Sequence, residues 1–139
     1  MKRKIVIITI LLFLVLGFAA FSIVCSQKEF TGSRAANSDS YMLDIERMNG
    51  TESHTLDLSA GDNLQIQFET EKGSMYMEIK AQNGTVMYAG NGKGAEDFTL
   101  NISESGVYTV MVEARRAKGT IHIQRKAKNI IYGDTNIKS

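Results

Sequence analysis

The sequence predicts an all-β protein, a single antiparallel β-sandwich or jelly roll of seven or eight strands, preceded by one N-terminal hydrophobic helix. Two observations predict the sandwich: apolar and polar residues alternate in short runs from Tyr41 onward, and glycine-containing turns separate the runs. Successive side chains of a strand point to opposite faces, so each run is typical of a half-buried strand. A third observation, an unbroken apolar segment near the N-terminus, predicts the helix.

The apolar segment comprises the 20 residues from Ile5 to Val24, of which only Thr9 and Ser22 are polar, and residues 2–4 before it are all basic. About 20 apolar residues are enough to cross a hydrocarbon core of about 30 Å. Residues 1–27 therefore predict a signal peptide or a membrane anchor, with the rest of the chain on the extracytoplasmic face of the cell membrane, or secreted if the signal is cleaved. Lipidation of Cys25 is a third alternative, and all three stay open.

Residues 28–40 are small, polar and without periodicity, which predicts a flexible linker. The β-sandwich domain is expected over residues 41–128, and residues 129–139 form a C-terminal tail or an extra edge strand. Asn83-Gly84 lies between two alternating runs and predicts a tight hairpin, since this dipeptide adopts the positive φ angles of such turns. Glu104-Ser105-Gly106 is interpreted as a turn between adjacent antiparallel strands. Further turns are expected at Asn49-Gly50, Ala60-Gly61, Lys72-Gly73 and Lys118-Gly119.

The apolar positions of the runs share one parity within each run and predict the core. They are Leu43 and Ile45; Leu56 and Leu58; Leu64, Ile66 and Phe68; Met75, Met77 and Ile79; Phe98, Leu100 and Ile102; Tyr108, Val110, Val112 and Ala114; and Ile121 and Ile123.

The order of these runs resembles that of small extracellular jelly-roll accessory modules. Gly61-Asp62 precedes one strand, Gly106-x-Tyr108 opens the penultimate strand, and Gly119 opens the last. In these features the chain is similar to bacterial pre-peptidase C-terminal-type domains and to GOLD-like β-sandwiches over about residues 41–125. The resemblance implies a non-catalytic accessory module and brings no catalytic residues with it.

Residues with catalytic or metal-binding chemistry are few. The single cysteine excludes an intrachain disulfide framework. His54 and His122 have different strand parities, so they do not form a metal-ligand pair. Asp62, Asn63, Glu96 and Asp97 offer oxygen ligands without the dense acidic array of a calcium loop, so bound calcium is left open. We expect no catalytic residues, no cofactor and no enzyme activity.

The charge is distributed unevenly along the chain. Residues 28–114 carry 6 basic and 14 acidic side chains, whereas residues 115–139 carry 7 basic and 1 acidic. Two basic clusters bracket the last strand and predict contact with an anionic partner such as lipid head groups or a cell-wall polymer. No aromatic residues are interleaved with them, which argues against nucleic acid. The clusters are Arg115, Arg116 and Lys118 at one end and Arg125, Lys126 and Lys128 at the other.

The predicted function is a non-catalytic binding or interaction module, with its ligand and oligomeric state left open. Tyr76 and Tyr88 lie on opposite arms of the Asn83-Gly84 hairpin and are a candidate ligand face. The alternative is a structural envelope protein that self-associates, with residues 129–133 adding as a strand to an envelope protein or a second copy. A small hydrolase is a third and weaker hypothesis.

Overall fold

The computed structural model describes the backbone of residues 2–25 and 28–127, and the side chains of residues 2–16 and 28–127. Helix α1 spans Lys2–Cys25. The large apolar side chains from Ile5 to Leu16 are 55% to 73% exposed. Over the described part of the chain, no helix meets the length and hydropathy needed to span a membrane.

Within residues 28–127, six antiparallel strands follow the helix, and the expected number of seven or eight was wrong. They are β1 (Glu29–Ala36), β2 (Ser40–Leu58), β3 (Asn63–Lys80), β4 (Val86–Gly90), β5 (Glu96–Asn101) and β6 (Gly106–Lys126). Their order in the sheet is β1-β2-β6-β3-β4, and β5 pairs with β3 as well.

The count is lower because β2, β3 and β6 each continue through a bend that looks like a turn in the sequence. The pairing register shifts at Ile45–Gly50 in β2 and at Thr70–Ser74 in β3. Asn49-Gly50, Lys72-Gly73 and Lys118-Gly119 therefore lie inside continuous strands rather than at hairpin tips. The extra residues of a bulge bend a strand and leave part of it unpaired.

Each bend also changes which parity faces inward. In β2 the buried residues change from odd positions (Leu43, Ile45) to even positions (Leu56, Leu58) across the bend. Strand β3 changes in the opposite direction, from Phe68 to Met75. Because the parity switches, both halves of a strand present their apolar side chains to the same interior.

The bends divide the sheet into two half-sheets that enclose one core. The five-stranded half-sheet has the order β1-β2-β6-β3-β5, and the four-stranded half-sheet has the order β2-β6-β3-β4. Without β1, these are eight antiparallel segments in two layers of four, which is a jelly-roll arrangement. The main buried side chains are Tyr41, Leu43, Met48, Leu56, Leu64, Ile66, Phe68, Met77, Ile79, Val110, Ile121 and Ile123.

Two predicted connections have different outcomes. The Asn83-Gly84 hairpin is confirmed, because β3 pairs with β4 on either side of it and Thr85 N donates to Asn83 Oδ1 at 3.0 Å. The interpretation of Glu104-Ser105-Gly106 as a turn between adjacent strands is wrong. Strand β5 pairs with β3 in one half-sheet, whereas the first half of β6 lies in the other, so this segment crosses between the layers.

The predicted linker is largely structured. Residues 29–36 form β1, which pairs with β2 from Glu29↔Asn49 to Ala36↔Tyr41. The polar composition of residues 28–40 did not indicate a strand, because β1 is an edge strand whose side chains are nearly all exposed. The β-domain therefore begins at Glu29 rather than at residue 41. The tail over residues 129–139 lies outside the described residues.

Candidate binding face

The outer side of the five-stranded half-sheet carries a flat array of polar side chains, here called the polar face. Strand alternation creates it, because the residues between the buried positions of β2, β3, β5 and β6 must point outward. Cross-strand pairing places these residues side by side, as in Gln67↔His122 and Gln67↔Asp97. The polar face comprises Asp44, Gln65, Gln67, Asp97, Thr99 and His122.

Asp97 is the centre of a hydrogen-bonded cluster on this face. Gln65 Nε2 donates to Asp97 Oδ1 at 2.6 Å, and Gln67 Nε2 donates to Asp97 Oδ2 at 3.2 Å. Thr99 Oγ1 donates to Gln65 Oε1 at 3.1 Å. These bonds hold two amides and a hydroxyl in fixed orientations on an exposed surface, with further donors and acceptors still open to a ligand.

Asp44 forms a second cluster on the same half-sheet. Its Oδ1 lies 2.8 Å from His122 Nε2, and Ser33 Oγ donates to its Oδ2 at 3.1 Å. The hydrogen bond from His122, followed by the bond from Ser33, lowers the pKa of Asp44 below its ordinary value. Asp44 is therefore a fixed negative charge at neutral pH.

A groove of about 540 Å³ lies beside Asp44, and it is lined by residues around the β1 bulge at Thr31/Gly32 and near the bends of β2 and β6. Its polar lining includes Ser33, Asp44, Glu71, Lys118 and Thr120. Lys118 Nζ lies 3.1 Å from Glu71 Oε2 along the groove wall. The volume falls within the range of small-molecule sites, and the groove is continuous with the polar face through Asp44.

The structure does not bring Tyr76 and Tyr88 together. Tyr88 pairs with the buried Ile79 and packs on the core side, where its hydroxyl donates to Glu96. Tyr76 is 38% exposed on the outer side of the four-stranded half-sheet, and its hydroxyl donates to Glu78 at 2.8 Å. The two rings lie on opposite faces, so they do not form a common ligand face.

The predicted basic residues separate into two groups at opposite ends of the domain. Arg115, Arg116 and Lys118 lie at the bend of β6, next to Lys72 and Gly73 of β3. Arg125 lies at the other end of β6, 3.7 Å from Asp39 and 3.9 Å from Asp62.

The other predicted site residues are Lys126, Lys128 and Cys25. Lys126 donates to Gln124 Oε1 at 3.1 Å, near Arg125. Lys128 lies outside the described residues. Cys25 is the last residue of α1, and its side chain also lies outside what the structure describes.

Three of the four candidate calcium ligands have structural partners. Asp62 Oδ2 accepts from the amide of Ser59 at 2.9 Å, Glu96 accepts from Tyr88, and Asp97 accepts from two glutamines. His54 stacks on Tyr41 with ring centroids 4.8 Å apart, away from His122 on the outer face. Within residues 2–16 and 28–127, no three acidic, histidine or cysteine side chains are grouped to hold a metal ion.

Sequence reasoning missed Gln65, Gln67 and Thr99 as site residues. The alternation in β3 and β5 does indicate which residues point outward. In Gln65–Gln67 and Asp97–Thr99, each of these outward residues carries an amide, a carboxylate or a hydroxyl group. What the sequence did not show was the pairing that places these two segments next to each other.

No family model and no curated protein matches this chain. The resemblance to pre-peptidase C-terminal-type and GOLD-like domains therefore stays a prediction.

One similar solved structure is a carbohydrate-binding module, TmCBM61, in complex with β-1,4-galactotriose. The two chains are 19% identical, the match covers 63% of this chain and 61% of that one, and the TM-score is 0.35. The chain thus spans about three fifths of that module's length. At this similarity the likeness carries no argument, and the jelly-roll assignment depends on the strand pairing alone.

Proposed function

We propose that this chain is an extracytoplasmic, membrane-tethered binding module without catalytic activity, and that its polar face binds a neutral polyhydroxylated polymer such as a glycan. The observation that carries the proposal is the cluster of Gln65, Gln67 and Thr99 around Asp97. Amides, hydroxyls and carboxylates are suitable partners for sugar hydroxyls, because they supply donors and acceptors in directional pairs.

Preorganisation supports this role. Binding costs conformational entropy when flexible side chains must be ordered, about 0.5–1.5 kcal/mol for each rotamer-rich side chain. Gln65 and Gln67 are already ordered by their bonds to Asp97. The carboxylates Asp44 and Asp97 would repel a polyanion, which favours a neutral polymer over a charged one.

Membrane attachment is part of the same proposal, and its support is the N-terminal segment. The apolar side chains from Ile5 to Leu16 are exposed along α1, and from residue 17 to Val24 only Ser22 is polar. Exposed apolar side chains on one long helix are costly in water and favourable in hydrocarbon. Retention of α1 or lipidation of Cys25 would each keep the β-domain at the membrane.

Affinity electrophoresis of the protein in detergent, through gels containing single neutral polysaccharides, tests the binding proposal. We expect at least one polymer to retard the protein, and Asp97→Ala and Gln67→Ala to abolish the retardation. Thr109→Ala is the matched control, because Thr109 lies on the outer side of the four-stranded half-sheet. Equal retardation of all three variants, or retardation by no neutral polymer, would contradict the proposal.

A further inference from the structure

The chain enters the β-domain at its bend. Glu29, the first residue of β1, pairs with Asn49, which lies within the bend of β2. The side chain of Lys28 lies against Gly50, since a Cβ added to Gly50 would be 3.0 Å from Lys28 Cγ. The N-terminal segment is therefore attached to the bend rather than to the opposite end, where β6 finishes.

The connection to α1 is short. The helix ends at Cys25, so only four Cα–Cα steps lead to Glu29. Fully extended, this length of chain spans at most about 14 Å. A membrane anchor that ends at Cys25 would hold the bend close to the lipid surface. The flexible linker expected from the sequence would have allowed a much larger separation.

The surface at this end of the domain is basic. Residues 28–29, 45–50, 70–74 and 113–119 carry six basic and four acidic side chains, a net charge of +2. The six basic residues, here called the basic end, are Lys28, Arg47, Lys72, Arg115, Arg116 and Lys118.

Part of the basic end is available without breaking an ion pair. Arg47, Arg115 and Lys118 lie 3.1–3.7 Å from exposed glutamates. Exposed pairs of this kind are weak and can be exchanged for other anions. Across the described part of the chain, the side chains of Lys72 and Arg116 have no carboxylate within ion-pair distance.

Arg116 combines a charge at the bend with an unusual backbone conformation. Its φ is +47°, one of two positive values at residues other than glycine in the described chain. An L-residue with a β-carbon is strained there, and glycine would be easier to accommodate. The side chain of Arg116 is exposed at the bend, so an anionic partner can reach its charge.

We propose that the basic end contacts anionic lipid head groups, so that the β-domain stands on the membrane with its bend downward and the polar face at its side. The proposal rests on the membrane attachment proposed above. The short connection holds Glu29, beside the basic end, at most about 14 Å from the end of the anchor. Exposed charges interact over about one Debye length, which is about 8 Å at physiological ionic strength. Arg125 belongs to the opposite end and takes no part.

Fluorescence quenching of the full chain in lipid nanodiscs tests this orientation. In a Cys25→Ser background, a fluorophore is attached at Thr51→Cys near the bend or at Ser59→Cys at the opposite end, both exposed positions. The lipid is phosphatidylcholine alone or with phosphatidylglycerol, and its head groups carry a quencher. We expect quenching at Thr51→Cys to rise at least twofold with phosphatidylglycerol and to fall again in high salt, while Ser59→Cys stays unquenched.

Charge-reversal variants provide the control. Lys72→Glu with Arg116→Glu should remove the increase at Thr51→Cys, whereas Lys80→Glu with Lys126→Glu should leave it unchanged, with thermal melts confirming that both variants are folded. Equal quenching in both lipids, or an increase that survives Lys72→Glu with Arg116→Glu, would overturn the orientation alone. Failure of the full chain with Cys25 intact to remain with the nanodiscs would overturn the proposed attachment and this inference with it.

Discussion

Gly73 in the bend of β3 packs against the backbone of Arg116 in the bend of β6, where a Cβ on Gly73 would lie only 2.2 Å from the Arg116 carbonyl oxygen. Two long strands can bend at the same place because one of them has no side chain there. The folding of one sheet into two layers therefore depends on a close backbone contact as well as on apolar burial.

Gly73→Ala should be much more destabilising than Gly84→Ala. Both glycines have positive φ, +68° and +86°, but a Cβ on Gly84 meets no atom within 4 Å. The strain of φ alone costs about 1 kcal/mol, which is the expected effect of Gly84→Ala. Gly73→Ala adds an overlap with backbone that cannot move aside, so we expect about 3 kcal/mol or more. Urea unfolding followed by circular dichroism measures both, and equal losses would contradict the packing described for the bend.

Arg116→Gly distinguishes the effect of backbone strain on stability from the effect of the Arg116 charge on lipid contact. Removing the β-carbon at a φ of +47° relieves strain, while glycine adds entropy to the unfolded chain. We expect the free energy of unfolding to stay unchanged or to rise by up to about 1 kcal/mol, while quenching at the lipid surface decreases. A loss of more than about 1 kcal/mol would mean that Arg116 has a structural role that its exposed position does not show.

Gly32→Ala should release β1 from the sheet. A Cβ on Gly32, whose φ is +143°, would lie 2.0 Å from the carbonyl oxygen of Asp44 in β2. We expect the amides of Glu29–Ala36 to exchange hydrogen faster in the variant, while those of β6 remain protected. If the amides of β1 already exchange at the rate of an unstructured peptide in the unmodified protein, the pairing of β1 with β2 is contradicted and residues 28–40 are a flexible linker.

Tyr41 should make the protein sensitive to alkaline pH. Burial, followed by the nearby Glu52 carboxylate, raises the pKa of Tyr41 to about 12. The unfolded phenol titrates near 10, so this stabilisation is complete below pH 10 and is lost as pH rises from about 10 to 12. Two pKa units correspond to about 2.7 kcal/mol, and solvent screening reduces the effect below that value. Between pH 9 and 12, Tyr41→Phe should therefore lose less unfolding free energy than the unmodified protein, and parallel losses would contradict this.

The sequence predicted the class of fold because alternation is a local property. Leu64, Ile66 and Phe68 lie inward as their spacing required, and the hairpin at Asn83-Gly84 forms where the dipeptide indicated. The strand count was wrong for a physical reason: Lys72-Gly73 has the composition of a turn, but its positive φ serves a bend between paired neighbours. Whether a glycine reverses a strand or bends it is decided by the strands beside it.

The candidate site was harder to predict because it depends on pairing between distant segments. Gln67 and Asp97 are 30 residues apart and contact each other only because β5 lies beside the first half of β3. Tyr76 and Tyr88 looked like neighbours on one hairpin, but the register shift between Ile79 and Lys80 places them on opposite faces. Strand β1 was missed because an exposed edge strand has no apolar periodicity to reveal it.

Mapping the ligand footprint on the β-domain by hydrogen exchange tests the proposed binding face most directly. The measurement compares the protein with and without the neutral polysaccharide that retards it most strongly. We expect added protection of Asn63–Phe68 in β3 and of Glu96–Asn101 in β5, with no change in Val86–Gly90 of β4. Protection confined to the four-stranded half-sheet, or spread evenly over both half-sheets, would contradict a binding function for the polar face.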